Sequence, residues 1–286
     1  MSAMHRNYGL LSVDDHSRDS AGMTYVYPVV SRRARGVSVG INLNPNNACN
    51  WQCVYCQVPG LVRGGPPPID LEQLKDELNR FLNMMTSGSF MLEKVPSDAR
   101  ILQDIAFSGN GEPTAASEFP EALDAVVETL RTHSLLGLLK LRLITNGSQV
   151  GKAGVQRGLR TLAANNGEVW FKLDAATAAG IAKVNGVRIS PAAHLRRLSI
   201  CAELCPTWIQ SCFFMRNGEL PASAEIDAYI GVAGQMKGKI KGVHLYGLAR
   251  PSMQPYAEEL GRLPDQWFES LAKRLECQGL NVVISP

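Results

Sequence analysis

The sequence predicts an α/β fold, a partial (β/α)6 barrel of parallel strands, and three observations carry that expectation. Short apolar runs alternate with amphipathic stretches six times along the chain, the pattern of successive βα units and a parallel sheet. The 286 residues suffice for one sizeable core, so a single barrel-like domain is the first expectation. Six units suit an open or partial barrel better than the eight-unit version.

The elements follow in order. Residues 37–43 (VSVGINL) read as the first strand, followed by a cysteine-containing loop, a GGPPP linker and a helix. That helix carries Leu71, Leu74, Leu78, Phe81, Leu82 and Met85 on one face, with Asp70 as N-cap and Gln73 positioned for a capping box. Residues 101–107 are the second strand; the helix over 117–131 turns Leu123, Val126, Val127 and Leu130 inward. A third strand spans 139–144, before a stripe of Val155, Leu159 and Leu162. The fourth, 168–173, leads through a less regular stretch to a helix ending near Leu204, just before Pro206. Residues 207–215 read as the fifth strand, with Ile226, Tyr229, Ile230, Ala233 and Met236 on its helix. A sixth strand, 240–246, precedes a helix over 263–277 stopped by Gly279. A strand-like NVVIS comes last. Residues 1–36 are expected to be an N-terminal extension packing on the core, and 37–286 the barrel domain.

Composition excludes more than it selects. The N-terminus lacks the basic start and apolar core of a secretory signal, and no apolar run approaches a membrane span. The expectation is a cytoplasmic protein with no membrane partner, where thiols stay reduced. Seven cysteines, an odd number, then point to metal or redox chemistry before disulfides. The formal charge of +3 permits an anionic partner such as RNA without requiring one. Arg196 with Arg197, and Lys237, Lys239 and Lys241, read as solvated surface charge.

Three cysteines fall within the eight residues CNWQCVYC, at Cys49, Cys53 and Cys56. The loop follows a strand directly, and in such sheets ligands sit at the C-terminal strand ends. Soft thiolates select zinc or iron–sulfur clusters. Structural zinc draws four ligands from paired knuckles, and no second knuckle occurs here. Three thiolates on a cubane of four irons leave one iron open for a further ligand. Cys201, Cys205 and Cys212 lie far along the chain, and their apolar surroundings fit core thiols.

The CxxxCxxC spacing, with Tyr55 before the third cysteine, resembles the radical S-adenosylmethionine (SAM) superfamily. The resemblance implies a 4Fe–4S cluster on Cys49, Cys53 and Cys56, SAM on the open iron, and cleavage of SAM to a 5′-deoxyadenosyl radical that takes hydrogen from a substrate. Gly109, Asn110, Gly111 and Glu112 resemble the family's Gly-Gly-Glu-Pro motif, which binds the SAM amino group. Asn146 falls where the family presents polar groups to SAM. Lys172 and Asp174 stand in KLDA, where relatives more often read Ser-Leu-Asp-Ala. Lys172 is therefore both a SAM-binding and a substrate-side candidate, and Tyr246, Arg250 and Cys212 are further substrate-side candidates. Arg216 is a possible anion holder or a surface ion pair.

Closer similarity, from about residue 29 to 252, is to the branch containing the tRNA 4-demethylwyosine synthase-like proteins. It rests on VVSRRARGVSVGINLNPNNACNWQCVYCQV, IAFSGNGEPT, LITNGS, KLDAA with KVNG, and HLYGLARPS. Ser31, Arg32 and Arg33 belong to a motif of this branch and are expected to anchor the cluster loop. The chain departs from it in having no cysteine upstream of Cys49, so the second cluster of the archaeal wyosine enzymes is not supported. The substrate stays open: an RNA base, a small molecule, a peptide, or the glycyl site of an activase's partner. An electron donor such as flavodoxin or ferredoxin is implied. The non-enzymatic alternative is an iron–sulfur electron-transfer protein.

Overall fold

The computed structural model describes residues 10–11, 22–31 and 36–285. Eight strands form its main sheet: β1 (Val26–Ser31), β2 (Gly36–Ile41), β3 (Leu102–Phe107), β4 (Lys140–Thr145), β5 (Gly167–Lys172), β6 (Thr207–Cys212), β7 (Gly242–Tyr246) and β8 (Val282–Ser285). Spatial order equals chain order. β1 runs antiparallel to β2, and every later pairing is parallel.

Connections between parallel strands must cross back over the sheet, which the helices do. They are α1 (Leu71–Thr86), α2 (Phe119–Thr132), α3 (Ala153–Ala164), α4 (Ala178–Asn185), α5 (Pro191–Leu204), α6 (Ser223–Gly234) and α7 (Asp265–Glu276). Odd-numbered strand residues such as Val39, Ile105, Leu143, Phe171, Ile209 and Leu245 join Leu78, Phe81, Leu123, Leu159 and Phe268 of the helices in one core. The opposite face, even-numbered on β2 to β7 and odd-numbered on β1 and β8, lines one cleft that reaches both Tyr27 on β1 and Ser285 on β8. A sheet whose two edge strands wall one cleft is curled into a partial barrel, as expected from the alternation of elements.

Some expectations needed correction. Residues 207–215 are not one strand: β6 stops at Cys212, where the Asp174 carboxylate takes its N–H, and Phe213 and Phe214 turn off to opposite cores. Met215–Arg216 pairs instead with Leu260–Gly261. The irregular stretch after β5 contains a helix, α4, capped by Thr177 and ended by Gly186 at φ +63°. Asp70 does cap α1, accepting from the Gln73 N–H. The Gln73 side chain does not complete a capping box; it reaches Thr24 and Glu77. Buried Glu77 accepts the N–H groups of Tyr25 and Val26 and so ties α1 to β1. Of the proposed anchors, Ser31 ends β1, while Arg32 and Arg33 lie outside the described residues.

Candidate active site

The loop after β2 is built from asparagines. Asn42 Oδ1 accepts the Asn44 N–H at 3.0 Å, and Asn44 donates to the Ala48 carbonyl at 2.9 Å. Ala48–Cys49 then pairs with Val62–Arg63 and closes the loop. Cys49, Cys53 and Cys56 are free thiols, partly exposed, on the wall of the same cleft. Trp51 donates its N–H to Cys49 Sγ at 3.5 Å, and Asn185 donates its amide to Cys53 Sγ at 3.3 Å. Burial pushes the Cys49 thiol up to about 11 and Cys53 up to about 12, with Lys172 opposing both shifts. Such thiols ionise only with strong positive charge at the sulfur, which a metal supplies. No three His, Cys, Asp or Glu among the described residues converge on a single ion. The donor set fits a cluster in which each thiolate takes a different iron.

Long-range contacts hold this loop. Tyr55 donates its hydroxyl to Asp174 Oδ2 at 2.5 Å, Asn185 donates to the same oxygen at 2.8 Å, and the Cys212 N–H reaches Oδ1 at 2.9 Å. Val54 N–H bonds the Val184 carbonyl at 2.9 Å, and Ser252 Oγ donates to the Val54 carbonyl at 2.7 Å. Asp174 itself lies behind the cleft wall, its carboxylate consumed by these donors; it positions Tyr55 rather than facing a ligand. The Trp51 ring packs on His194, which also contacts Phe171 and bonds the Lys172 carbonyl at 2.8 Å.

The glycine loop after β3 fits beneath. A side chain at Gly111 would put its Cβ 2.2 Å from the Ala48 carbonyl, and Gly109 sits at φ +141° against Asn42. Only glycine allows that approach. Asn110 donates its N–H to Asn42 and its amide to Asn47 at 2.6 Å. Glu112 is buried and accepts from the Thr114 N–H, the Thr114 and Thr145 hydroxyls and the Asn146 N–H at 2.7 Å. Its carboxylate thus staples the β3 and β4 rims together. Burial raises its pKa against the pull of those donors.

Gly109, Asn110, Gly111, Glu112, Asn146, Lys172, Tyr55, Cys212, Tyr246 and Arg250 all share the cleft wall with the three cysteines. Asn146 bonds Asn50, which bonds Ser148, linking the third rim loop to the cysteine loop. Lys172 reaches the Tyr246 hydroxyl at 3.3 Å and lies 4.9 Å from the Tyr55 ring centre. Burial opposes its charge, yet Asp174 holds its pKa above the ordinary value. Arg216 is off the cleft, paired with Glu259 at 2.7 Å. Cys201 and Cys205 are buried in the main core, as their apolar setting implied. Sequence reasoning gave no individual role to Asn50, Asn185, Ser148 and His194; Asn50, Ser148 and Asn185 did stand in quoted fragments, CNWQCVYC, LITNGS and KVNG, and His194 in none that resembled the family.

Deeper in the cleft the wall turns polar. Ser38 and Arg142 both bond Asp104, and Arg142 Nε bonds Glu168 at 2.9 Å while its guanidinium lies over Trp170. The cleft encloses about 290 Å³.

No family model and no curated protein matches the sequence. Solved structures do. Streptococcus suis SuiB bound to S-adenosylmethionine aligns at 12% identity and TM-score 0.55, over 89% of this chain and 49% of that one. TYW1 with a lysine–pyruvate adduct bound aligns at 15% identity and TM-score 0.56, over 85% of this chain and 73% of that one. A radical SAM methyltransferase from Sphaerobacter thermophilus aligns at 14% identity and TM-score 0.56, over 91% and 68%. The chain thus spans about half of SuiB. No helix among the described residues is long and apolar enough to cross a membrane. Curl, strand order and these likenesses agree: the chain has the partial-barrel fold of the radical SAM enzymes.

Proposed function

We propose that this protein is a radical SAM enzyme. The observation that carries the reading is the convergence of Cys49, Cys53 and Cys56 with the Gly109–Glu112 loop and Asn146 on one cleft, at the C-terminal ends of β2, β3 and β4. In this reading the three thiolates hold a 4Fe–4S cluster, and SAM lies against the glycine loop. When bound, the reduced cluster and SAM would supply a 5′-deoxyadenosyl radical that takes hydrogen from a substrate.

The chain's own residues prepare the place. Trp51 and Asn185 direct N–H groups at two of the sulfurs, which favours thiolates. Glu112 lines the same cleft, and although burial raises its pKa, an ammonium placed against it would favour its charged form. Lys172 brings a fixed positive charge to the same wall, suited to a carboxylate of SAM or of substrate. The Trp51, Tyr55 and Phe214 side chains keep water from the loop's inner side.

An RNA base is one candidate substrate, supported by the wyosine-branch motifs. Small molecules and peptides are supported by the modest cleft volume of about 290 Å³. A cytoplasmic setting and a flavodoxin or ferredoxin donor belong to the same proposal. Anaerobic reconstitution, an iron count and detection of 5′-deoxyadenosine after dithionite reduction test it. About four irons per chain with slow cleavage is expected. A formed cluster without cleavage would move the protein to electron transfer.

A further inference from the structure

The inner half of the cleft carries a feature that SAM binding leaves unexplained. Gln210, on β6, is 1% exposed, and its Oε1 has no hydrogen-bond partner among the described residues. It lines the cleft beside Lys172 of β5 and His244 of β7, one alternation below Cys212. A buried acceptor without a partner is costly and rare, so each one calls for a reason.

The neighbouring charges narrow what could meet it. Two cations border this wall and each already has a carboxylate: Arg142 is engaged by both Asp104 and Glu168 and laid over Trp170, and Lys172, paired across from Gln210, lies 3.9 Å from Asp174. An anionic group placed there would meet three carboxylates, Asp104, Glu168 and Asp174, for two cations. Carboxylates and phosphates are therefore disfavoured at the inner end. A neutral group is favoured, with a donor for Gln210 Oε1 and an acceptor for the N–H groups of the same carboxamide. The volume of about 290 Å³ is at the small end for ligand sites, so only a compact part of a substrate reaches this depth beside SAM.

We propose that the inner cleft is a recognition chamber for a neutral amide-type edge, a lactam, carboxamide or nucleobase, read by the Gln210 side chain as asparagine and glutamine read paired donor and acceptor edges. The inference rests on the radical SAM reading of the same cleft and names the chemistry of its substrate. Gln210 is a binding residue in this account and takes no part in SAM cleavage.

Two measurements test it. Gln210→Met keeps the size and removes the orphaned polar group, so the ligand-free variant should melt higher than the wild type, by about 3 °C. Ligand-observed NMR then uses guanosine as the nucleobase probe and N-acetylglutamine methylamide as the peptide-like one. At least one should bind the wild-type chain and weaken tenfold or more in the variant, and which one responds separates the two sources. Gln210→Glu, close in size, repeats the binding arm if the Met variant does not fold. A lower melting point in folded Gln210→Met overturns the proposal, because Gln210 would then be a structural member. So does a probe that binds variant and wild type alike, or the failure of both probes on the wild type. Iron content and 5′-deoxyadenosine formation by the wild-type protein report on the radical SAM reading separately.

Discussion

Tyr55 and Asp174, 119 residues apart, share a hydrogen bond of 2.5 Å. It couples the residue before the third cysteine to the end of β5, and the same carboxylate holds the end of β6. Tyr55→Phe removes the donor and leaves a buried carboxylate oxygen short of a partner, at about 1–3 kcal/mol. The variant should melt several degrees lower and lose reconstituted iron faster to a chelator. An unchanged melting point would show the bond to be incidental.

Cys53→Ala should abolish reconstitution and all SAM cleavage. Cys201→Ala and Cys212→Ala should keep about four irons per chain, since Cys201 sits in the main core and Cys212, although it shares the cleft wall, lies outside the loop that carries the three thiols. Iron counted on the same preparations decides; loss of iron in Cys201→Ala would point to a second cluster.

Gly111→Ala would drive its Cβ into the Ala48 carbonyl. That atom is backbone in the cysteine loop and cannot swing away, so overpacking of about 1–3 kcal/mol follows. The outcome expected is a lower melting point together with weaker SAM binding by calorimetry. Wild-type affinity in the variant would mean that the two loops do not depend on each other.

His194 links stability to pH. Burial is the main cause that lowers its pKa from 6.5 to about 4. The folded protein thus keeps the ring neutral, whereas the unfolded chain takes a proton near 6.5, so between these values the unfolded state binds more protons. Stability is present above pH 6.5 and lost as the pH falls toward 4, by about 3 kcal/mol in the limit. Denaturant titrations at pH 7.5 and 5 should show the loss, and His194→Gln should flatten it. An equal loss in both proteins would place the titration elsewhere.

Arg142→Met strips the cation from Asp104, which is 1% exposed, and from Glu168. Uncompensated buried charge of this kind costs about 3–5 kcal/mol. Arg142→Lys should recover part of it, because a lysine keeps the charge but not the fork.

The strands that alternate with amphipathic helices were legible to within about two residues at most ends, because burial on both faces makes parallel strands read as apolar runs. β1 was not. Its VYPVVS contains Pro28, which an edge strand tolerates and an inner strand does not. α4 escaped because AAGIAKVN, made largely of small residues, has little amphipathic period. At the site, cysteines and glycines announce themselves by spacing. Asn50, Asn185 and His194 do not, since each matters through a partner brought close only by the fold, such as Cys53 for Asn185 across 132 residues.

Strand order that equals chain order also sets a timetable for synthesis. Each strand finds its neighbour already made, so the sheet can grow from β1 toward β8 as the chain emerges. The cysteine loop is made before its clamps: Asp174, Asn185 and then Ser252, which is 198 residues beyond Val54. Until Ser252 is made, the loop that carries the three thiols lacks this clamp. Iron delivered before Ser252 is in place would meet an unbraced loop, and in air those thiols would be oxidised first. If the three thiols hold a cluster as proposed, its loading belongs after the barrel has closed around the loop.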